Sequence, residues 1–191
     1  MHIRIATSQD APTVNAICAH YIAHSLATFH ESNKTVEQRT REMEQLLETY
    51  PFLVAENKSG RFLGFANAEP IRLQSGYRFS VELTIYLHPE APTGSGIGTA
   101  LYEKLLSILT AQGFCTAYAV LYGKNDHSLR LHRRFGFEEV ALLKNSAFKH
   151  GEWLDTRLLQ KTLNPYENPP REPIPFSQYR GMVRGQTGGS D

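Results

Sequence analysis

The stretch HPEAPTGSGIGTALYEKLL, residues 88–106, decides the fold because it places a glycine loop between two regular elements. Residues 79–87 (FSVELTIYL) are rich in β-branched and aromatic side chains, which predicts a strand. Residues 98–113 carry apolar side chains at helical spacing and end on a glycine, which predicts a helix. The loop at 94–98 therefore joins a strand to a helix. Such a loop commonly binds an anion at the helix N-terminus.

Three kinds of anion site are compared for this loop. A Walker A loop needs Lys and Ser or Thr after its last glycine, but Thr99 and Ala100 follow Gly98 here. A dinucleotide fingerprint needs a third glycine where Thr99 stands and an acidic residue after the next strand, and neither is present. A pyrophosphate bound by backbone N–H groups fits the loop. An ordinary strand-to-helix turn stays open as the alternative.

Length and charge limit the function. The chain of 191 residues has room for one domain and a tail. Its 20 basic and 19 acidic residues give a net charge of +1, which disfavours nucleic acid and anionic membranes as partners.

No apolar run reaches the ~18 residues of a membrane-spanning helix, and no signal-peptide pattern begins the chain. Cys18 and Cys115 lie in apolar segments, so we expect buried thiols, no disulfide, no metal site and a cytoplasmic location.

The periodicity along the chain predicts one domain of the α/β (α+β) class in residues 1–163, with the element order β-α-α-β-β-β-α-β-α-β-β. Thr35 and Gln38 form a capping-box pattern at the start of the second helix. Residues 164–191 are rich in proline and glycine. We expect this C-terminal tail to be irregular or extended.

Three polar side chains near the loop strengthen the anion-site interpretation. Glu82 lies in an otherwise apolar strand, where a carboxylate is costly to bury without a reason. Asn125 follows the strand after the helix, and its amide both donates and accepts hydrogen bonds. His132 lies one turn before the end of the next predicted helix. The alternatives are a solvent-facing strand residue for Glu82 and a structural, buried histidine for His132.

With these residues in place, the chain resembles the GNAT superfamily of acyl-CoA-dependent N-acyltransferases. TGSGIG (93–98) stands where that family has its pyrophosphate loop. The chain is further similar to the phosphinothricin and methionine sulfoximine N-acetyltransferases over residues 3–163. The motifs that carry this similarity are YPFLVAE (50–56), GYRFSVELTIYLHP (76–89), GIGTALYEKLL (96–106), AQGF (111–114), NDHSLRLHRRFGF (125–137) and FKHGEWLDTRLLQ (148–160). The resemblance implies a GNAT fold, with a central mixed, mostly antiparallel sheet splayed between strands 4 and 5 and flanked by about four helices.

The resemblance also implies a role for each residue of the site. Glu82 would be the general base and His132 its catalytic partner. Acetyl-CoA, the implied co-substrate, would contact Ile85, Tyr86, Leu87, Thr93, Gly94, Ser95, Gly96, Ile97, Gly98, Asn125 and Arg134. A small amino-acid-like amine would contact Phe29, Arg72, Gln74, Tyr77, Glu82 and Tyr86. Arg134 is equally well explained as part of a solvated helix face, and Phe29 as loop packing.

The predicted acceptor site departs from the family pattern at Gln74, where the resemblance implies a second basic residue. Glutamine cannot form a charge-assisted pair with a carboxylate or phosphinate. Either the acceptor carries less negative charge, or Arg78 or Lys149 compensates. The resemblance also implies a homodimer, which the apolar residues around Phe148 and Trp153 support.

Two other functions stay open at this point. The acceptor could be a polyamine, an aminoglycoside or a protein amine, although the balanced net charge disfavours a specialist for polycations. The chain could instead be a non-catalytic module that binds acetyl-CoA. The presence of both Glu82 and His132 disfavours that module, since a sensor needs neither residue.

Overall fold

The computed structural model describes residues 1–92 and 94–187. In chain order, the elements of these residues are β1 (His2–Ile5), α1 (Ala11–His24), α2 (Val36–Thr49), β2 (Phe52–Glu56), β3 (Phe62–Pro70), β4 (Ser80–Leu87), α3 (Ile97–Gln112), β5 (Thr116–Tyr122), α4 (Asp126–Arg134), β6 (Glu138–Lys149), β7 (Glu152–Thr162) and α5 (Phe176–Thr187). One sheet contains the strands in the order β1-β2-β3-β4-β5-β7-β6. Only β4 and β5 run parallel among these neighbours. The predicted mixed, mostly antiparallel sheet is confirmed, with a fifth helix in addition to the four expected.

Local sequence signals account for several element boundaries. At the start of α2, the backbone N–H of Gln38 donates to Thr35 Oγ1 at 3.2 Å, and the N–H of Thr35 donates to Gln38 Oε1 at 2.9 Å. This is the predicted capping box. At the start of α4, Asn125 Oδ1 accepts from the N–H of Ser128 at 3.1 Å, which makes Asn125 the N-cap. Both helices therefore begin where a polar side chain satisfies an unpaired backbone donor.

The sheet opens between β4 and β5. The two strands pair only from Ser80–Thr116 to Glu82–Tyr118. β4 then continues to Leu87 and β5 to Tyr122 without further pairing between them. The predicted splay between strands 4 and 5 is therefore present, and it leaves a gap that begins just past Glu82.

The side chains of β4 alternate between the two faces of the sheet. One face lies under α3, because a Cβ placed on Gly98 would be 3.6 Å from Ile85 Cδ1. The other face lies under α1, because the rings of Tyr86 and Tyr21 are 4.8 Å apart. Glu82 shares this second face with Tyr86, which we call the acceptor face.

The expectation of an irregular tail is wrong for residues 176–187, which form α5. Phe176 is buried in the hydrophobic core, and the hydroxyl of Ser177 donates to the carbonyl of Glu48 in α2 at 3.0 Å. The high proline content of the whole tail predicted an irregular segment, but all of these prolines precede Phe176 and therefore do not interrupt α5. Residues 188–191 lie outside the described part of the chain. In the described part, no helix is long and apolar enough to cross a membrane.

Candidate active site

The glycine loop leads into an N-terminus of α3 that has no side-chain cap. Gly94 and Gly96 have φ angles of 72° and 78°, a left-handed conformation that strongly favours glycine. Gly96 is the N-cap, no side chain caps it, and its carbonyl accepts from Ala100 N at 3.0 Å. The backbone N–H groups of residues 97–99 precede that first helical hydrogen bond. They are free to donate to an anion at the positive end of the helix dipole.

The space around the loop suits a phosphate. A Cβ added at Gly94 or Gly96 would meet no atom within 4 Å, so the backbone is accessible from outside. The Ser95 hydroxyl donates to the carbonyl of Pro92 at 2.7 Å, which holds the loop in shape. The buried Ile97 side chain belongs to the core, so that residue offers only its backbone. Thr93, also predicted to contact the coenzyme, lies outside the described residues.

The gap between β4 and β5 exposes backbone groups next to this loop. The N–H of His88 donates to the carbonyl of Leu63 at 2.8 Å. Along a strand, the backbone N–H and C=O groups of successive residues point alternately to the two neighbouring strands. In the register of β3 against β4, the N–H and C=O of Tyr86 therefore point towards β3, and those of Ile85 and Leu87 point towards the gap. The Leu87 carbonyl accepts from the Tyr21 hydroxyl at 3.1 Å. Ile85 and Leu87 are therefore placed to bind a chain of amide groups, whereas Tyr86 contributes its side chain to the acceptor face.

Glu82 lies at the point where the sheet opens. Its side chain is half-buried on the acceptor face. Burial raises the pKa of Glu82 above its usual range, and the charge of Arg72 opposes that shift. The carboxylate accepts no hydrogen bond from the described residues. An unpaired carboxylate with a raised pKa is suited to accept a proton from a bound amine.

The structure adds Glu69, which sequence reasoning missed. Glu69 in β3 is the register partner of Glu82 and shares its face. Burial raises the pKa of Glu69, and the neighbouring Glu82 charge raises it further. The two α-carbons of such a hydrogen-bonded pair are about 5.5 Å apart. No signal in the sequence indicates this pair, because Glu69 joins the site only through the register of β3 against β4.

His132 is buried in a hydrogen-bonded pair away from solvent, with 1% of its surface exposed. Its Nδ1 is 2.7 Å from the carbonyl of Ser128, so this nitrogen carries the proton. Its Nε2 is 2.7 Å from the buried Tyr102 hydroxyl and accepts from it. Burial lowers the pKa of His132, so the ring is neutral at pH 7. No hydrogen bond joins His132 to Glu82 in the described part of the chain.

The cations that could replace the basic residue missing at position 74 are engaged elsewhere. The buried Lys149 ammonium donates to the carbonyls of Ser25 and Thr28, each at 2.8 Å. It thereby fixes the loop that carries the half-buried Phe29. Arg78 forms a double hydrogen bond with Glu172 of the tail, at 2.6 and 2.8 Å. The other linker residues predicted to contact the acceptor, all exposed, are Arg72, Gln74 and Tyr77.

The other predicted site residues lie in separate parts of the structure. Gly94, Ser95, Gly96, Ile97 and Gly98 form the loop and the first turn of α3, Ile85 and Leu87 border the gap, and Asn125 caps α4. Glu82 and Tyr86 lie on the acceptor face. Arg134 is exposed in the last turn of α4. In the described residues no group of three or more His, Cys, Asp and Glu side chains is placed to hold a metal ion.

The chain is an α/β protein in which a glycine loop before an uncapped helix, beside two splayed strands, is suited to a pyrophosphate-containing coenzyme. The model of the acetyltransferase (GNAT) domain family matches residues 3–158. The chain therefore belongs to the GNAT acetyltransferase family and is an acetyltransferase, as the sequence motifs predicted.

Individual relatives agree with this assignment. The phosphinothricin N-acetyltransferase of Streptomyces viridochromogenes is 35% identical over 93% of this chain and 96% of its own length. The L-methionine sulfoximine/L-methionine sulfone acetyltransferase of Salmonella typhimurium is 32% identical over 88% and 98%. The crystal structure of a phosphinothricin acetyltransferase from Sinorhizobium meliloti in complex with AcCoA superposes with a TM-score of 0.84, at 35% identity, over 91% of this chain and 92% of that one. The predicted resemblance to such enzymes is confirmed.

Proposed function

We propose that the protein transfers the acetyl group of acetyl-CoA to the amine of a small, amino-acid-like acceptor. The observation that carries the proposal is the position of Glu82. Its half-buried, unpaired carboxylate lies where the sheet opens, at the start of the gap between β4 and β5. The substrates named for the relatives, phosphinothricin and methionine sulfoximine, are amines of this kind.

The residues present fit acetyl-CoA. The free N–H groups at the start of α3 are suited to the pyrophosphate. The backbone of Ile85 and Leu87 faces the gap, where pantetheine amides can pair with it. Asn125 uses its Oδ1 as a helix cap, so its Nδ2 amine stays available to donate to the same arm. Arg134, exposed at the end of α4, is proposed to meet a phosphate by charge.

Glu82 is assigned as the general base. The acceptor amine is protonated at neutral pH, and only its free form attacks a thioester. Glu82 takes that proton, directly or through a water molecule. The backbone N–H groups of β4 that face the gap stabilise the oxyanion that develops on the acetyl group. Because burial raises the pKa of Glu82, activity is expected to fall as the pH drops through that raised value.

His132 is assigned as a positioning residue. The Nδ1–H of His132 donates to the carbonyl of Ser128. The backbone N–H of Ser128 in turn donates to the side chain of Asn125. The Nε2 of His132 bonds to Tyr102 of α3. This chain of hydrogen bonds ties the first turn of α4 to α3 and holds Asn125 beside the gap. With both ring nitrogens engaged inside the protein, His132 has no free nitrogen for a proton transfer to substrate.

The test is the Glu82→Gln variant, assayed by release of free thiol from acetyl-CoA with a panel of small amines. We expect kcat/KM to fall by ~10²-fold or more, within the range of general-base catalysis. The deficit should shrink as the pH rises, because more free amine is then present. Glu103→Gln, an exposed change of the same chemistry on α3, is the control and should leave activity unchanged. A few-fold, pH-independent loss would show that Glu82 only orients the acceptor.

We further propose a homodimer that uses the β6–β7 hairpin. Phe148 and Trp153 are 52% and 64% exposed, and their rings lie 5.3 Å apart on the outermost pair of strands. Exposed aromatic pairs of this kind are typical of an interface. Sedimentation at micromolar concentration should give twice the chain mass, and Trp153→Glu should reduce it to one chain. Met182→Glu, at an exposed site on α5, is the control.

The cytoplasmic location stays a prediction from the sequence.

A further inference from the structure

A cavity of about 210 Å³ lies on the acceptor face, next to the strand pair that carries Glu82. Its floor is formed by alternate residues of these two strands, Asn67 and Glu69 of β3 and Thr84 and Tyr86 of β4. Residues of α2 and of the loop before it form one wall. The cavity therefore connects the place assigned to the reacting amine with α2.

The wall at α2 carries two cations that share one carboxylate. Lys34 Nζ donates to Glu42 Oε1 at 2.5 Å, and Arg39 Nη1 donates to Glu42 Oε2 at 2.6 Å. All three side chains line the cavity. Two positive charges therefore face a single carboxylate at this end of the cavity, and an anionic group bound there would supply the second negative charge.

The guanidinium group of Arg39 has an unoccupied edge. Its side chain is only 15% exposed, and its Nε is buried without a hydrogen-bond partner in the described part of the chain. A buried donor on a charged group is costly to leave unpaired. Because Nη1 is used by Glu42, the Nε–Nη2 edge is the side that another acceptor can approach. Two parallel N–H groups on one edge match the two oxygens of a carboxylate.

The electrostatic potential at this end of the cavity is seen at His30, which also lines it. Burial lowers the pKa of His30, and the charges of Lys34 and Arg39 lower it further. Lys149 acts on this pKa in the same direction, and Glu42 acts in the opposite one. Three cations against one anion disfavour a further positive charge and favour a negative one.

The end of the cavity near Glu82 is acidic instead. Glu69 is the register partner of Glu82, and burial and the Glu82 charge both raise its pKa, whereas Lys34 and Arg39 lower it. Burial raises the pKa of Glu82 itself, and the charge of Arg72 lowers it. A positive amine therefore suits this end, with a carboxylate beside Arg72, and the end at α2 is left for a second anion.

We propose that Arg39, assisted by Lys34, binds a second anionic group of the acceptor inside this cavity, so that the substrate class is an acidic amino acid. The inference rests on the proposed function, since it places the reacting amine at Glu82. The ammonium group of the acceptor meets Glu82 and Glu69, and its α-carboxylate meets Arg72. The side-chain anion meets Arg39 and Lys34, which are thus specificity-determining residues, distinct from the base.

The test compares glutamate with glutamine, its neutral isostere, and with ornithine, whose side chain ends in a cation. Each is assayed for kcat and KM with acetyl-CoA at saturation. We expect the wild type to prefer glutamate to glutamine by about 10- to 100-fold in kcat/KM, the range of a charge-assisted hydrogen bond. The preference should lie mainly in KM, because this contact is the same in the ground and transition states. Ornithine should be the poorest of the three acceptors.

The variant Arg39→Gln should remove the preference for glutamate. Its kcat/KM for glutamate should fall at least about tenfold, while that for glutamine stays within about twofold. Arg39→Lys should retain part of the preference, because it keeps the charge but loses the two-pronged edge. Arg41→Gln, which removes an exposed cation from the same helix, is the matched control and should leave the ratio unchanged.

Equal use of glutamate and glutamine by the wild type, or a preference for ornithine, would overturn the inference alone, and neither result needs a variant to fold. An equal loss for both acceptors in Arg39→Gln would also overturn it, since that pattern belongs to a residue that only supports the fold of the site. If the wild type acetylated none of the three while still binding acetyl-CoA, the amino-acid acceptor class of the proposed function would be refuted, and the inference with it.

Discussion

Replacing His132 by leucine separates a structural role from a catalytic one. The change keeps an apolar group of similar size but removes both ring nitrogens. The fully buried Tyr102 hydroxyl then loses its acceptor, and an unsatisfied buried hydroxyl costs ~1–3 kcal/mol. The Ser128 carbonyl loses one donor but keeps its place in the helix, at a cost of ~0.5–1 kcal/mol. We expect His132→Leu to lower the free energy of unfolding by about 1.5–4 kcal/mol in total.

Urea unfolding followed by circular dichroism measures this loss. Adding Tyr102→Phe to the variant should recover much of it, because the orphaned hydroxyl is then gone. His127→Leu, an exposed change on the same helix, is the control and should be nearly neutral. Folded His132→Leu should keep kcat/KM within about tenfold of the wild type, well short of the ~10²-fold expected for a lost acid or base. A large loss of kcat without a loss of stability would refute the positioning role.

The pH dependence of stability gives a second readout for His132. Its pKa in the folded protein is lowered by burial, so the unfolded chain binds a proton that the folded one excludes. Stability is therefore fully present above the ordinary histidine pKa of ~6.5 and declines as the pH falls below it, by on the order of 1 kcal/mol per pH unit. His132→Leu should lose this part of the slope between pH 7 and pH 5, whereas His127→Leu should retain it.

Two further substitutions test the coenzyme and acceptor contacts. Gly96→Val should weaken acetyl-CoA binding severely, as measured by calorimetry, while Gly113→Val, which has a similar left-handed strain at φ 93° at the opposite end of α3, should cost stability without affecting affinity. Equal affinities in the two variants would contradict the assignment of the loop. Gln74→Arg should lower KM for glutamate about tenfold or more with little change in kcat, since it restores a charge-assisted pair. An unchanged KM would show that the linker does not reach the acceptor.

The fold was predictable because its signals are local. The strand before the glycine loop, the left-handed glycines and the caps at Thr35 and Asn125 depend on residues within a few positions of one another. Hydrogen bonds between neighbours in sequence determine where those helices begin, so the pattern alone locates them. The choice of Glu82 as a site residue followed from the family resemblance and the apolar strand around it.

The acceptor site was less predictable because its contacts join distant parts of the chain. Lys149 binds the carbonyl of Ser25, 124 residues away in sequence. Glu69 becomes part of the site only through the register of β3 against β4. The family motif gives His132 a catalytic role, and only the contact with Tyr102, 30 residues earlier, shows that both ring nitrogens are occupied. Such pairings depend on tertiary packing, which composition and periodicity do not encode.

The tail provides the last prediction, because the structure joins it to the domain that the sequence predicted to end at residue 163. Phe176 is almost fully buried, and Gln112 of α3 links to Ile174 through two hydrogen bonds of 2.7 Å. Truncating a buried phenylalanine leaves a cavity, so Phe176→Ala should cost about 3–5 kcal/mol in urea unfolding. Met182→Ala, exposed on the same helix, is the matched control and should cost little. A chain ending at residue 163 should be destabilised at least as much as Phe176→Ala, since it loses both the side chain and the hydrogen bonds. Were that shortened chain to unfold at the same urea concentration as the full one, residues 164–187 would be an appendage and the sequence-based boundary at 163 would stand.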